Sequence, residues 1–258
     1  MNTLLNRRTI LMTAALGAGT TLLQACGGGD DEPQRNIVEI AQSNPDLSIL
    51  VEAVVAAGLA PNLSTGSLTV FAPTNAAFTS LLSELGVTKE ALLANKPLLT
   101  AVLSYHVLSS RVARADVPVG KAITPLAGGF FKIEATGGLK VTDGRNRVSN
   151  ITATDIQASN GVVHLLDRVL LPADKDIVAT ASALPDFSIL VEAVVAAGLV
   201  STLQGAGPFT VFAPTNAAFA ALLTELGVTK DALLANKTLL TQVLTYHVVP
   251  ARVLKAEV

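Results

Sequence analysis

Apolar residues dominate the first part of the chain that can form a core. Within residues 36 to 59, the stretch ILVEAVVAAGL is apolar at nearly every position. A helix that is apolar all round is usually buried, and Gly58 can supply its C-terminal turn. The next segment, SLTVFAP, alternates around β-branched and aromatic residues and stops at Pro73. The pattern predicts a buried helix followed by a strand.

The segment TNAAFTSLLSELG then changes to helical spacing. Its large apolar residues share one face of a helix that ends at Gly86: Phe78, Leu81, Leu82 and Leu85. The pair Thr74 and Asn75 can cap the start of this helix. VTKEALLANK and PLLTAVLSYH predict two further short helices, with Thr88 as the N-cap of one and Pro97 at the start of the other.

From His106 onward the pattern becomes that of strands. The β-rich runs are HVLSSRV, KAITPLA, FFKIEATG, LKVTD, RVSNITATDI and GVVHLLDRVLLP. Dipeptides that tolerate positive φ lie between them: Gly128-Gly129, Gly137-Gly138, Asp143-Gly144 and Asn160-Gly161. Helices followed by strands predict an α+β domain with an antiparallel sheet.

The chain contains this pattern twice. FAPTNAAF at 71–78 returns at 212–219, 141 positions later. DLSILVEAVVAAGL returns as DFSILVEAVVAAGL, and ELGVTKEALLANKPLLTAVLSYHVL returns as ELGVTKDALLANKTLLTQVLTYHVV. A period of this length is the size of a whole domain. We therefore expect two related domains in tandem, the first over 36–172 and the second from 176.

The second repeat follows the first only through YHVVPARV. At Val258 the first repeat still has the strands of 117–172 ahead of it, so 176–258 corresponds to the N-terminal half of a domain. Half a sheet leaves strand edges and apolar helix faces uncovered. The simplest interpretation is a fragment of a longer protein. The alternative is a natural half-domain that is completed by strands of a partner.

Residues 1–25 have the layout of a secretory signal peptide. Arg7 and Arg8 precede the uncharged apolar run 9–23, and a small residue, Ala25, precedes Cys26. This run is shorter than the roughly 20 residues of a membrane span. The paired arginines fit either the twin-arginine or the general export route.

LQAC, the end of this leader, resembles the lipobox of bacterial lipoproteins, in which the cysteine is lipidated. The resemblance implies lipidation at Cys26 and a membrane anchor in the periplasm, at the outer membrane or at the cell surface. GGGDDEPQ follows, so 26–35 is predicted to be a flexible tether.

Composition excludes several classes of partner. Removing the leader takes away two of the 18 basic residues and none of the 20 acidic ones, which leaves a formal charge of −4. Without a basic patch, nucleic acid is not an expected partner. Because Cys26 is the sole cysteine, the domains have neither a disulfide framework nor a CxxC metal site. We expect no cofactor and no metal.

The histidines are the remaining candidates for chemistry. His106 and His247 occupy equivalent positions of the repeats, each after a tyrosine, and are interpreted as core histidines satisfied by one hydrogen bond. His164 and Asp167 lie three apart in a strand-like run, which places them on opposite faces. GxSxG, HExxH and SxxK are absent from the sequence. We predict that the protein is not an enzyme.

Three blocks together resemble the fasciclin-domain family: FAPTNAAF at 71–78, YHVL at 105–108 and DIQASNGVVHLLDRVLLP at 155–172. The resemblance implies a wedge of two β-sheets with helices packed on one side, and a role in adhesion or extracellular matrix rather than catalysis. The positions that carry the motif are Phe71, Pro73, Thr74, Asn75, Phe78, Tyr105, His106, Asn160, Gly161, His164 and Asp167, with Phe212, Pro214, Thr215, Asn216, Phe219, Tyr246 and His247 in the second repeat.

Asp155 and Ile156 match an Asp-Ile pair that has been proposed as an adhesion contact in animal members of that family. We favour a structural interpretation of this pair, an ordinary strand end before the Asn160-Gly161 turn, over the adhesion contact. The leading hypothesis is a bacterial envelope lipoprotein that binds a surface protein or polysaccharide. The alternatives are a carrier of a small apolar ligand in the groove of the domain, and an envelope protein without a defined ligand.

Overall fold

A computed structural model of the chain describes residues 34–255. The predicted leader, Cys26 and most of the predicted tether lie outside these residues. At the end of the tether, the carbonyl oxygen of Arg35 accepts a hydrogen bond from the backbone N–H of Ser159 at 3.0 Å. Arg35 is therefore attached to the first domain rather than part of a free linker.

The first repeat contains six helices in its described residues. They are α1 (Ile37–Ser43), α2 (Ser48–Ala57), α3 (Ala60–Leu63), α4 (Asn75–Leu85), α5 (Lys89–Ala94) and α6 (Lys96–Tyr105). The predicted helices before and after SLTVFAP are confirmed, but α2 is not buried all round as expected, because Val55 is 63% exposed. A 3₁₀ turn at Pro45–Leu47 separates α1 from α2.

Seven strands of the first repeat form one continuous ladder. They are β1 (Leu68–Pro73), β2 (Val107–Leu108), β3 (Ala122–Ile123), β4 (Phe131–Glu134), β5 (Lys140–Thr142), β6 (Val148–Ala158) and β7 (Gly161–Leu166). Their order is β2-β1-β7-β6-β5-β4-β3. The long strand β6 pairs with β5 at its start and with β7 along the rest. It therefore joins a sheet of β3, β4 and β5 to a sheet of β7, β1 and β2.

The expectation of an antiparallel sheet is wrong at one pair. β1 and β7 run parallel over six residues, from Leu68 opposite Gly161 to Pro73 opposite Leu166. A parallel pair needs a long connection, and here the helices α4 to α6 and the strands β2 to β6 provide it. The tertiary path of these intervening elements, rather than any local turn, brings β7 beside β1.

The two sides of β1 belong to two different cores. Val70 and Ala72 pack with the helices, together with Leu50 and Phe78. Phe71 packs with a second cluster that includes Tyr105, Phe131, Ile133 and Leu166. Adjacent side chains of a strand point to opposite faces, so one strand serves both cores.

The second repeat retains the helical layer. Its elements are α7 (Ile177–Ser182), α8 (Ser188–Ala197), α9 (Val200–Leu203), β8 (Thr210–Val211), α10 (Asn216–Leu226), α11 (Lys230–Ala235), α12 (Lys237–Tyr246) and β9 (Val248–Val249). The helices α8 and α2 share the sequence SILVEAVVAA, and each buries a leucine, an alanine and a valine. Across residues 34–255, no helix is both long and apolar enough to cross a bilayer.

The sheet side of the second repeat differs sharply from that of the first. β8 pairs over two residues with β9, and no other described strand pairs with it. Phe71 and Tyr105 are fully buried, whereas their counterparts Phe212 and Tyr246 are 48% and 89% exposed. The aromatic residues that form the second core in the first repeat thus lie on the surface in the second.

Candidate functional site

FAPTNAAF forms the junction between β1 and α4. Thr74 caps α4, because its hydroxyl accepts a hydrogen bond from the N–H of Ala77 at 3.4 Å. Asn75 belongs to α4 itself and caps a different helix: its Oδ1 accepts from the N–H of Ile49 at 2.9 Å, and its Nδ2 donates to the carbonyl oxygen of Pro45 at 3.0 Å. The two predicted capping residues therefore serve different helices, and Asn75 fastens α2 to α4.

The second repeat reproduces this junction. Thr215 caps α10 through the N–H of Ala218 at 3.4 Å. The Oδ1 of Asn216 accepts from the N–H of Ile189 at 3.0 Å, and its Nδ2 donates to the carbonyl oxygen of Pro185 at 3.0 Å. Because the junction forms without a β7 counterpart, it depends on the helical layer alone. The aromatic residues that anchor α4 and α10, Phe78 and Phe219, are buried.

His106 is buried at the end of α6. Its Nε2 accepts a hydrogen bond from the N–H of Leu170 at 2.9 Å, so the proton lies on Nδ1, which donates to the carbonyl oxygen of Val102 at 2.7 Å. The ring thus makes two backbone bonds rather than the single bond expected. Burial lowers the pKa of His106 from 6.5 to about 4, although the Val102 bond and the charge of Asp143 oppose the shift. In the second repeat, His247 retains the contact of Nδ1 with Val243 O at 2.8 Å.

Tyr105 is held by its hydroxyl and by its ring. The hydroxyl donates to the carbonyl oxygen of Phe130, and the ring meets Phe131 edge to face at a centroid distance of 5.8 Å. Phe131 meets Phe71 in the same manner at 5.3 Å. Burial raises the pKa of Tyr105. These aromatic residues connect β1, α6 and β4.

The Asn160-Gly161 turn joins β6 to β7 and binds them to the start of the domain. Asn160 Oδ1 accepts from the N–H of Ile37 at 2.9 Å, and its Nδ2 donates to the carbonyl oxygen of Leu63 at 2.8 Å. Gly161 packs directly against the backbone of Leu68, where a Cβ would overlap the carbonyl oxygen. The turn therefore connects β6 to β7, as the sequence predicts, and also attaches them to α1 and α3 through tertiary hydrogen bonds.

His164 and Asp167 have separate partners. His164 Nδ1 accepts from the N–H of Asp155 at 3.3 Å, and its Nε2 contacts the carbonyl oxygen of Val112 at 3.0 Å. Asp167 follows the end of β7, and its Oδ1 accepts from the N–H of Asn150 at 2.7 Å. Each side chain forms hydrogen bonds with backbone groups. In the described residues, no hydrogen bond or ion pair joins His164 to Asp167.

Asp155 lies within β6 rather than at a strand end, so the strand-end geometry expected for it is wrong. It adopts φ +60°, a left-handed conformation, where the β6–β7 register shifts between Ala153 and Ile156. Such a β-bulge re-aims side chains. Here Asp155 Oδ1 accepts from the N–H of Arg114 at 2.8 Å. Ile156 is half-buried against the helix-side core.

A buried ion pair in the first repeat was not anticipated from the sequence. The Asp143 carboxylate accepts from Arg147 Nη2 at 2.8 Å and from the backbone N–H groups of Arg145 and Leu171 at 2.9 Å. Arg147 also pairs with Glu84 at 3.0 Å. The local signal, Asp143 before a glycine, predicted only a turn, because the partners on Leu171 and Glu84 are distant in the sequence.

The cavities between helices and strands are small and apolar, whereas a recess of about 550 Å³ beside Lys132, Glu134 and Asp143 has a mixed polar and apolar lining. The first repeat encloses about 40 Å³ between helices and sheet, lined by residues that include Leu50, Val54, Val70, Val107 and Val163. The equivalent cavity of the second repeat is about 30 Å³. Within residues 34–255, no group of three His, Cys, Asp or Glu side chains is placed to hold a metal ion.

Together these features define an α+β module in which a repeated motif fastens a helical layer to a sheet. The fasciclin domain model matches residues 45–172 and 185–258. Protein sll1483 of Synechocystis sp. is 42% identical over 140 residues, which cover 53% of this chain and 73% of that protein. The chain belongs to the fasciclin-domain family.

Two further comparisons span more of the chain at lower identity. Human periostin is 28% identical over 220 residues, which are 84% of this chain and 24% of periostin. A solved FAS1 domain pair from the insect cell adhesion molecule fasciclin I aligns with a TM-score of 0.41 at 17% identity, covering 80% of this chain and 73% of that chain. The family assignment rests on the domain model and on sll1483.

Proposed function

We propose that the protein is an adhesion or interaction lipoprotein of the cell envelope that binds a surface protein or polysaccharide through its fasciclin domains. One observation carries the proposal: the polar side chains of the motif are already bonded to the protein's own backbone. Asn75, His106, Asn160 and His164 each bind main-chain groups of other segments. Because these side chains are used to stabilise the fold, we infer that other, exposed residues bind the partner.

The volume of the apolar cavity in the first repeat favours this function over a carrier of a small apolar ligand. Ligand pockets typically measure roughly 300–1,000 Å³, whereas the apolar cavity of the first repeat measures about 40 Å³. A space of that size holds at most a few water molecules. A carrier would have to separate α1 and α2 from the sheet before a lipid-like molecule could enter.

Attachment to cells tests the adhesive role. A strain lacking the protein is expected to attach to surfaces and to sibling cells less than the parent, and expression of the full chain is expected to restore attachment. Biofilm formation that stays unchanged under several growth conditions would contradict the proposal. Solvent extraction of the purified chain provides the matched test of the carrier, because a stoichiometric apolar molecule in the extract would favour that function.

Lipid anchoring at Cys26 is the second part of the proposal. The support is the leader with its LQAC ending in the sequence. Cells given a labelled fatty acid are expected to label the full chain and to retain it in the membrane fraction. The variant Cys26→Ser is expected to lose both properties. Equal labelling of the two proteins would show that Cys26 is not the acylated residue.

A further inference from the structure

The turn between β5 and β6, residues 143–147, holds the chain where it leaves the first repeat. Asp143 Oδ2 accepts a hydrogen bond from the N–H of Leu171 at 2.9 Å. Arg147 Nη2 donates to the carbonyl oxygen of Val169 at 2.7 Å. The side chains of Asp143 and Arg147 are only 1% and 12% exposed. Because they are buried, these bonds are little weakened by dissolved salt.

The same turn also binds the inter-repeat linker, residues 172–175. Arg145 Nε donates to the carbonyl oxygen of Pro172 at 3.3 Å, and Arg145 Nη2 pairs with Asp174 Oδ2 at 3.4 Å. Gly144 lies so close to the linker that a Cβ there would overlap the linker backbone. The side chains of Arg145 and Asp174 are 31% and 49% exposed. This outer ion pair is therefore open to screening by salt.

Asp176 already belongs to the second repeat. Its Oδ1 caps α7 by accepting from the N–H of Ala179 at 2.6 Å, and its Oδ2 accepts from Nε2 of Gln204 at 3.0 Å. Between the attached residues Asp174 and Asp176 lies only Lys175, which is exposed and forms no hydrogen bond or ion pair with the described residues. While Asp174 stays bound, the orientation of the second repeat depends on the backbone dihedrals of Lys175.

A contact between a cationic and an aromatic side chain also spans the linker. The guanidinium carbon of Arg252, in the second repeat, lies 4.4 Å from the centroid of the Phe130 ring in the first. A cation–π contact needs the cation over the face of the ring, so it requires a defined orientation of the two repeats. The contact is modest in strength when water reaches both groups. By itself it does not prevent rotation at Lys175.

We propose that Lys175 is the hinge between the two repeats and that the Arg145–Asp174 ion pair is its latch, which high ionic strength opens. When the pair is formed, the bound chain extends to Asp174 and one residue is left to turn. When the pair is screened, the bond of Asp143 to Leu171 remains and the unattached segment lengthens. Joined domains move relative to each other unless a large apolar interface holds them. The inference goes beyond the proposed adhesive role and does not rest on it.

The distance between two spin labels, measured by pulsed electron paramagnetic resonance, tests the latch. The full chain carries Cys26→Ser, which removes its sole cysteine, and labels at Ala101→Cys in α6 and Gln242→Cys in α12, two exposed positions. This labelled parent is expected to give a narrow distance distribution at about 0.01 M salt and a broader one at about 1 M, because the Debye length falls from about 30 Å to about 3 Å. Circular dichroism at both salt concentrations shows whether the repeats stay folded.

Two variants distinguish the latch from a general effect of salt. Asp174→Ala removes the carboxylate of the latch, so its distribution is expected to be broad at low salt and to change little at high salt. Glu52→Ala is the matched control, because Glu52 pairs with Lys89 at 2.8 Å within the first repeat and is 46% exposed, compared with 49% for Asp174. The control is expected to respond to salt as the parent does.

Three results would overturn the proposal. They are a parent distribution as broad as that of Asp174→Ala at low salt, a parent distribution that stays narrow at high salt, and equal broadening by Asp174→Ala and Glu52→Ala. The second result would assign the orientation to other contacts, among them that of Arg252 with Phe130. None of them bears on cell attachment, so failure here is distinguishable from failure of the adhesive role.

Discussion

His106 illustrates how the motif residues act at the scale of single side chains. Its two ring nitrogens bond to Val102 O and Leu170 N, which ties the end of α6 to the segment after β7. The neutral ring satisfies both backbone groups, whereas a protonated ring would lose its acceptor and place a charge in the core. Its role in the described domain is structural, and it makes the stability of the first repeat dependent on pH.

The first prediction follows from this shift. Because the pKa of His106 is about 4 in the folded protein and 6.5 as its ordinary value, the unfolded chain binds the proton more tightly. The contribution to stability is fully present above pH 6.5 and is lost as pH falls toward 4. The loss is about 3 kcal/mol. Urea unfolding at several pH values, compared with His106→Gln, measures it. Equal pH slopes for the two proteins would contradict the prediction.

Asp155 supplies the second prediction, which separates adhesion from structure. Asp155→Ala loses the acceptor for Arg114 N–H while keeping φ +60°, and it is expected to lower the free energy of unfolding by about 1–2 kcal/mol. Asp155→Asn keeps an acceptor and tolerates this φ, so its stability is expected to be near that of the parent. If Asp155→Asn cells lose attachment at normal stability, the carboxylate itself is the adhesive group. Normal attachment would leave Asp155 a structural residue.

At the scale of elements, the two repeats share the same junction between helices. The Asn75 and Asn216 junctions make the same bonds at distances that agree to 0.1 Å. The strands differ between the repeats. β1 extends over six residues beside β7, whereas its counterpart β8 extends over only two residues. Strand length here depends on the neighbour.

A third prediction tests the close contact between β7 and β1 at Gly161 and Leu68. Gly161 lies against Leu68 backbone, which cannot yield as a side chain can, so Gly161→Ala is expected to cost about 2–3 kcal/mol. Gly58, which ends α2 at φ +71° in open space, is the matched control. Gly58→Ala is expected to lower the free energy of unfolding by about 1 kcal/mol, because only the left-handed backbone conformation disfavours alanine there. Urea unfolding measures both, and equal losses would show that the contact with Leu68 relaxes freely.

At the scale of the whole molecule, the helices α2 and α8 form a natural controlled comparison. Their ten residues are identical, and both pack in a helical layer. Only the first repeat, among the described residues, adds a seven-stranded sheet beneath that layer. A difference in their stability therefore reports their surroundings, which include the sheet, rather than their own sequence.

The fourth prediction is that α8 exchanges its amide hydrogens faster than α2. Local opening is less costly where fewer apolar contacts are broken. Hydrogen-exchange mass spectrometry distinguishes the two helices by peptides that include Leu47 or Phe187, which differ in mass. Equal protection of α2 and α8 in the free protein would mean that the helical layer is stable without a sheet.

The sequence predicted local features of the fold well and distant pairings poorly. The caps of α4 and α5, the glycines that end α2 and α4, and the Asn160-Gly161 turn all depend on residues within a few positions. The bulge at Asp155 and the buried carboxylate of Asp143 had no such local signal. Asp143 bonds to Leu171, 28 positions away, and His106 bonds to Leu170, 64 positions away.

By itself, the sequence determined the helices, the turns, the duplication and the family, because these depend on short-range periodicity and on repeated text. Tertiary structure alone decided that β7 runs parallel to β1 and that Asp155 adopts a left-handed bulge. It also decided the environment of identical residues. Phe71 is buried and Phe212 is exposed within the same eight-residue phrase, because burial depends on which strand lies alongside rather than on the residue itself.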